Sequence, residues 1–329
     1  MFRKLSISVF LVLAIALGSA FSANYLLFLE AQAVAGYSSA LKKAIFFSLS
    51  QMEAMQKPSL GFDYVQRFSG ASGDFAVLAV QARLAVNAEG EETLEPQLYN
   101  AYLKIKTRSA DIWIGHNRPK FGLASSLDSH ALLLQPLSMN GFGFDRDWGI
   151  GLERDYEWGN AGISLTTGSG MPLYFKGNYL LAGRFSRGIL NQDNYSVGFS
   201  AGYGKVLDVM GYHLMADEPM EFSMAGLDFT WLKNNLEHRL EFLGGGLNSQ
   251  GVFALLWRTG LGLLEENRLK LEAQPVIVFA REKTQIQLAV AATFLATADW
   301  AFRTMVQVDK DKKDVRFVIQ AYFYKGIRF

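Results

Sequence analysis

Chemistry, if this 329-residue chain performs any, would have to start from its four histidines, His116, His130, His213 and His238, and the hydroxyls and carboxylates near them. A serine hydrolase needs a hydroxyl nucleophile beside a His that a third group orients. None of the four stands in a Gly-x-Ser-x-Gly or His-x-Ser context, and Gly168-Ser169-Gly170 is a weak match to any such elbow. Asp145-Arg146-Asp147 and Asp217-Glu218 offer carboxylates, but without the paired His spacing of a metal site. Gly244-Gly245-Gly246 has no following Lys-Ser/Thr and is not a phosphate loop. With no Cys there is no disulfide, no thiolate metal site and no lipid-modified N-terminal Cys. No cofactor is expected, and an enzyme is the least favoured reading. A net charge of +1 gives no footprint for nucleic acid.

What remains is charge arranged along strands. Segment 195–204 alternates strictly: Tyr195, Val197, Phe199, Ala201 and Tyr203 against Ser196, Gly198, Ser200, Gly202 and Gly204. Segment 285–294 sets Ile286, Leu288, Val290, Ala292 and Phe294 against Gln285, Gln287, Ala289, Ala291 and Thr293. Period-two patterns of this kind are strands with one apolar and one wet face. Aromatics cluster at the ends of the apolar faces (Tyr195 and Tyr203, Trp300 and Phe302), as a lipid-facing band does where it meets headgroups. Small or polar opposite faces suit a water-filled interior.

Sixteen such segments can be marked, from 44–52, 61–69 and 74–87 to 284–295, 300–308 and 315–329. Short gaps such as Gly70 to Gly73 and Lys233-Asn234-Asn235 alternate with longer ones such as 119–146 and 206–221. The pattern predicts an all-β, transmembrane, antiparallel up-and-down β-barrel of about sixteen strands, with both termini on the short-turn side. An amphipathic helix over 39–56 would reduce the number to fourteen. Closure follows from the bilayer, where every backbone N–H and C=O must be satisfied inside the protein. Sixteen strands make a barrel too wide for side chains to fill. The faces opposite lipid then carry the lumen charges, for which Arg83, Lys104, Lys106, Arg118, Arg239, Lys270, Glu272 and Arg303 are the candidates.

Arg3 and Lys4 precede the apolar run Leu5 to Leu17 and then small residues, the layout of a secretory signal peptide. This leader is expected to span 1–33, with cleavage after Ala33 or earlier, after Ser22, leaving 34–329 as a single barrel. Tyr25 to Leu29 prolongs the apolar stretch, and an uncleaved anchor is the alternative. At the other end, Val315, Phe317, Ile319, Ala321 and Phe323 alternate down to a terminal Phe329. That ending resembles the signal that outer-membrane barrels present to their assembly machinery.

Leu98-Tyr99-Asn100-Ala101-Tyr102-Leu103-Lys104 leads to Ile114-Gly115-His116-Asn117-Arg118-Pro119-Lys120-Phe121-Gly122-Leu123, and here the chain resembles the phosphate-selective (O/P-type) porins. The resemblance implies a bacterial outer-membrane channel, embedded in lipid, in which the loop after this strand folds inward and narrows the bore. The matching gap, 119–146, is the longest in the chain and would supply Lys120, Ser125, Ser126, Asp128, Ser129 and His130 as constriction residues. The alternative is an external loop lying over the mouth. Relatives of this type carry ladders of basic residues, whereas acids interleave here, so weak anion preference or none is expected. A homotrimer is implied by analogy. Two other readings stay open: a conduit barrel sheathing a partner or passing an apolar solute and, remotely, a hydrolase that would lose activity on replacement of His130 or Ser169.

Overall fold

The computed structural model describes residues 23–71, 73–89, 93–280 and 283–327. Its strands are β1 (Ala23–Ser38), the short β2 (Lys43–Ile45), β3 (Ser59–Gly70), β4 (Gly73–Val86), β5 (Leu94–Lys106), β6 (Asp111–Asn117), β7 (Asp147–Tyr156), β8 (Gly159–Thr166), β9 (Tyr179–Arg187) and β10 (Tyr195–Val206). A small hairpin, β11 (Val209–Met210) and β12 (His213–Leu214), precedes β13 (Met220–Lys233), β14 (Leu236–Leu247), β15 (Gln250–Leu263), β16 (Leu269–Ala280), β17 (Lys283–Leu295), β18 (Trp300–Asp309) and β19 (Asp314–Ile327).

Leaving aside β2 and the hairpin, sixteen long strands each pair antiparallel with the next. The ring is sealed by β1, which pairs with β19 (Ala31 with Phe323) and with β3 (Leu29 with Phe62). No ladder edge is left facing lipid, as a spanning sheet requires. Among the described residues no helix is long and apolar enough to cross a membrane; the crossing is made by strands.

The apolar stripes point outward. Phe199 is 52% exposed, Tyr203 63% and Val290 52%, while Ser200 on the opposite face of β10 is buried. Aromatics ring the short-turn end: Tyr156 stacks on Trp158 at 4.7 Å, and His238 lies between Trp231 (5.7 Å) and Trp257 (6.0 Å). Trp257 Nε1–H donates to His238 Nδ1 at 3.3 Å, which makes this His part of the aromatic girdle. Across the barrel height, Phe253 and Phe279 form a second aromatic pair at 6.0 Å.

Three expectations are corrected. The first strand is not 44–52, and residues 39–56 form no helix: the first stave is β1, and only Lys43–Ile45 of the later segment pairs, as β2. β1 was hidden because Leu26 and Phe28 sit on its inner face, so 25–29 reads as an unbroken apolar run rather than an alternation. Nor is the inner wall uniformly polar. Leu180, Ala182, Phe222, Met224, Leu243, Ala254, Leu256, Val276 and Val278 form a buried apolar patch on β9, β13, β14, β15 and β16. Alternation of connection length also fails on one side: β14 meets β15 through Asn248-Ser249 alone, with φ of 49° and 60°. Two successive positive φ values suit a tight hairpin whose twist matches its strands.

Cleavage after Ala33 would remove Ala23–Ala33, which pairs with both β3 and β19; Ser22 lies immediately before the strand. The leader before Ala23 and the terminal Phe329 lie outside the described residues.

Candidate functional site: the lumen and its inward loop

Residues 118–146 leave β6 and return to β7 through the inside of the barrel. Lys120 N–H donates to Ser164 Oγ of β8 (2.9 Å), Gly122 N–H to Ser200 Oγ of β10 (3.1 Å) and Leu123 N–H to Glu241 Oε1 of β14 (2.6 Å). Farther along, Arg258 of β15 donates to the Leu134 carbonyl (3.0 Å) and Gln274 of β16 to the Gln135 carbonyl (3.0 Å). Phe121, Leu137 and Phe142 bury their side chains on the apolar wall patch, Phe121 meeting Phe222 edge-on at 5.7 Å. Each such burial contributes about 1.5–3 kcal/mol, which explains why these strands are apolar on both faces.

A second segment folds in beside the loop. Ile45, Phe47 and Ala54 pack with Leu133 and Leu134. Gln32 Nε2–H donates to the Lys57 carbonyl (2.6 Å), and Gln56 Nε2–H to the His130 carbonyl (2.6 Å).

Where the loop passes β1 and β5, a buried charged cluster holds it. His130 Nε2 lies 2.8 Å from Glu30 Oε2, and Arg83 Nη1 3.3 Å from Glu30 Oε1. Arg83 also donates to Gln97 (2.6 Å) and to the Met55 carbonyl. The ring of Tyr99 lies 4.1 Å from His130 and 4.2 Å from the Arg146 guanidinium, and its hydroxyl donates to Asp145 (2.6 Å). Tyr99 sits at an irregularity: Gln81 pairs with Asn100 and Ala82 with Leu98, leaving Tyr99 as the extra residue. A bulge of this kind re-aims a side chain, and here it turns Tyr99 toward the loop, while Asn100 accepts from Arg146 (2.8 Å).

Of the loop residues singled out, Ser129 is buried and donates to Asp145 (3.3 Å), and His130 is buried against Glu30. Ser125 and Ser126 turn back onto the loop's own carbonyls at Gly122 (2.7 Å) and Leu123 (3.1 Å), Ser126 being exposed. Asp128, also exposed, meets Arg118 at 2.8 Å and Arg146 at 3.7 Å. Partial loss of water around it would raise its carboxyl, but Arg118, Arg146 and the His130 backbone N–H (3.1 Å) outweigh that and hold it below its usual value. Lys120 pairs with Glu153, as does Lys104.

The lumen charges singled out are mostly neutralised where they stand. Arg239 pairs with Glu237, while Lys270 lies 2.9 Å from Glu237 and 3.2 Å from Glu272. Arg303 donates to Gln320 (3.0 Å) beside the ring of Tyr322. Lys106 is exposed at the short-turn end of β5.

No known family model matches the chain, and no curated protein matches it in sequence. Solved structures do match. An anion-selective porin from Comamonas acidovorans superposes with a TM-score of 0.64 over 93% of this chain and 100% of its own, at 9% identity. OmpF of Salmonella typhi gives 0.65 over 92% and 97%, also at 9% identity. The trimer form of OmpT, an outer membrane protein of Vibrio cholerae, gives 0.58 over 92% and 99%, again at 9%. The chain has the porin fold.

Within this porin fold, several lumen groups escaped sequence reasoning. Glu30 falls within the expected leader, 1–33. Arg184 and Asp228 form a two-pronged buried pair (2.6 and 3.0 Å) across Gly198, where any Cβ would collide with both. Arg258 is buried against the loop. A usable signal existed: β15 and the end of β16 are apolar on both faces, which requires a cover inside as well as lipid outside.

Proposed function

We propose that the chain is a bacterial outer-membrane channel for passive diffusion of small hydrophilic solutes, and that residues 119–146 set its bore. The observation that carries this reading is the backbone of that loop hydrogen-bonded to five strands of the inner wall, β8, β10, β14, β15 and β16. A loop tied down at so many points narrows the lumen permanently rather than flapping over the mouth. The exposed Ser126 and Asp128, with Arg118 paired to Asp128, are the constriction groups we favour.

Selectivity between ions requires a ring of one sign. Here Glu30 answers Arg83, Glu153 answers Lys104 and Lys120, and Glu237 answers Arg239 and Lys270. This interleaving supports weak ion preference and argues against the phosphate selectivity of the O/P-type porins. The solved structures it resembles are mostly porins, and a non-catalytic role fits them. We further propose a homotrimer, as in the trimer form of the Vibrio protein, and assembly through the C-terminal strand ending at Phe329.

Planar-bilayer recording tests the reading. The purified protein is expected to carry stable salt current with a reversal potential near zero in a salt gradient. Glu30→Ala removes the acceptor that ties His130 to β1, and conductance is expected to rise as the loop loosens. A folded barrel that carries no current would refute the channel, and unchanged conductance in Glu30→Ala would refute the loop's control of it.

A further inference from the structure

The polar cleft between the inward loop and the wall opens on a chemistry that ions would not need. It has a volume of about 260 Å³ and is bounded by loop residues, by 49 and 53, and by the inner faces of β16–β19. Five glutamines line it: Gln135, Gln274, Gln285, Gln287 and Gln307. Some of their hydrogen-bonding capacity is spent inside the protein. Gln274 accepts from Arg258 (2.7 Å) and donates to the Gln135 carbonyl (3.0 Å), and Gln287 donates to Asp309 (3.0 Å). Among the described residues the Gln285 amide has no hydrogen-bond partner, and Gln307 uses only its NH₂, to Gln287 at 3.5 Å.

Charge in the cleft cancels. The lining holds two acids, Glu53 and Asp309, and two bases, Lys312 and Arg316. Lys312 lies 3.5 Å from Glu53, and Arg316 is 2.9 Å from Asp314 just outside. An amide offers a donor and an acceptor without charge. It can therefore match hydroxyl groups without having to strip an ion of its water. Between the amides lie Leu134, Val276 and Met305, which suit the C–H faces of a solute whose edges are hydroxylated. The volume lies just under the range of about 300–1,000 Å³ typical for small-molecule sites, the size for a small solute.

We propose that this cleft is a binding site for small uncharged polyhydroxylated solutes of the sugar class on their way through the barrel. The proposal rests on the channel reading above and adds to it a site with a chemical preference.

The test uses the purified full-length protein in planar bilayers, with glucose, gluconate and glucosamine as probes of similar size and different charge. Glucose is expected to interrupt the salt current in a concentration-dependent way, and the two charged analogues to do so at least about tenfold more weakly, as for the loss of one to two hydrogen bonds with desolvation of a charge added. Gln285→Leu with Gln307→Leu is expected to weaken the glucose effect about tenfold while leaving salt conductance unchanged. A channel that conducts salt but is indifferent to glucose, or is interrupted equally by all three, overturns this proposal and leaves the channel standing. A folded barrel that conducts nothing overturns both. Because the three-probe comparison uses the unmodified chain, it decides the matter even where the double variant fails to fold.

Discussion

Side chains that read as free lumen charges are, in the folded chain, mostly half of a pair. Lys104 and Lys120 converge on one carboxylate, Glu153, although they are sixteen positions apart and on different elements. Sequence spacing identifies which residues face inward, but not which ones face each other across a cylinder. Asp128 shows what such pairing does. Against a partial loss of water that would raise it, Arg118 and Arg146 hold its carboxyl below the usual value. A carboxyl lowered in the folded state contributes stability that is complete above the unfolded pKa, about 3.9, and is lost as pH falls through the lower folded value. The loop tip is therefore expected to stay docked at neutral pH and to loosen only under strong acid. Single-channel conductance measured from pH 7 downward should be flat until below about 4 and then change, and Asp128→Asn should reduce the transition, leaving the part carried by the Glu30–His130 and Glu153–Lys120 ties.

Among the elements, legibility follows the cleanness of the alternation. β10 is legible to within two residues (195–204 against Tyr195–Val206) because Gly and Ser occupy every inward position from 196 to 204. β1 is illegible because Leu26 and Phe28 face inward and give the segment the apolar run of a leader's tail. The inward loop was visible only as a long gap. Its path was not, since Phe121, Leu137 and Phe142 find their partners on strands some forty to one hundred and fifty positions away. The position of β1 carries a processing prediction. A strand that pairs with both β3 and β19 cannot lose Ala23–Ala33 without reopening the ring. Mass spectrometry of the mature protein is expected to place its N-terminus at Ala23. A variant beginning at residue 34 should fail to give a folded barrel by circular dichroism and protease resistance. A mature N-terminus at residue 34 in a folded protein would contradict the closure described.

Taken whole, the molecule is a cylinder with an apolar exterior and an interior divided between a greasy docking patch and a charged, amide-rich remainder. The exterior claim is measurable. Val290, mid-strand in β17 and 52% exposed, lies on the lipid face. Val290→Arg is expected to cost about 2–4 kcal/mol at the bilayer midplane, read from denaturant titration of the protein folded into vesicles. No loss would mean that this stripe does not sit in hydrocarbon. The tight connection at Asn248-Ser249 has a consequence for the cell as a whole. At that corner the ring ends in a two-residue hairpin, while the connections over 39–58 and 207–219 turn inward, Ala54 meeting Leu133 and Leu134 and the Tyr212 hydroxyl donating to the Leu98 carbonyl (3.1 Å). A binder approaching that corner, an antibody or a bacteriophage tail fibre, would therefore meet strand ends rather than a free loop to grip.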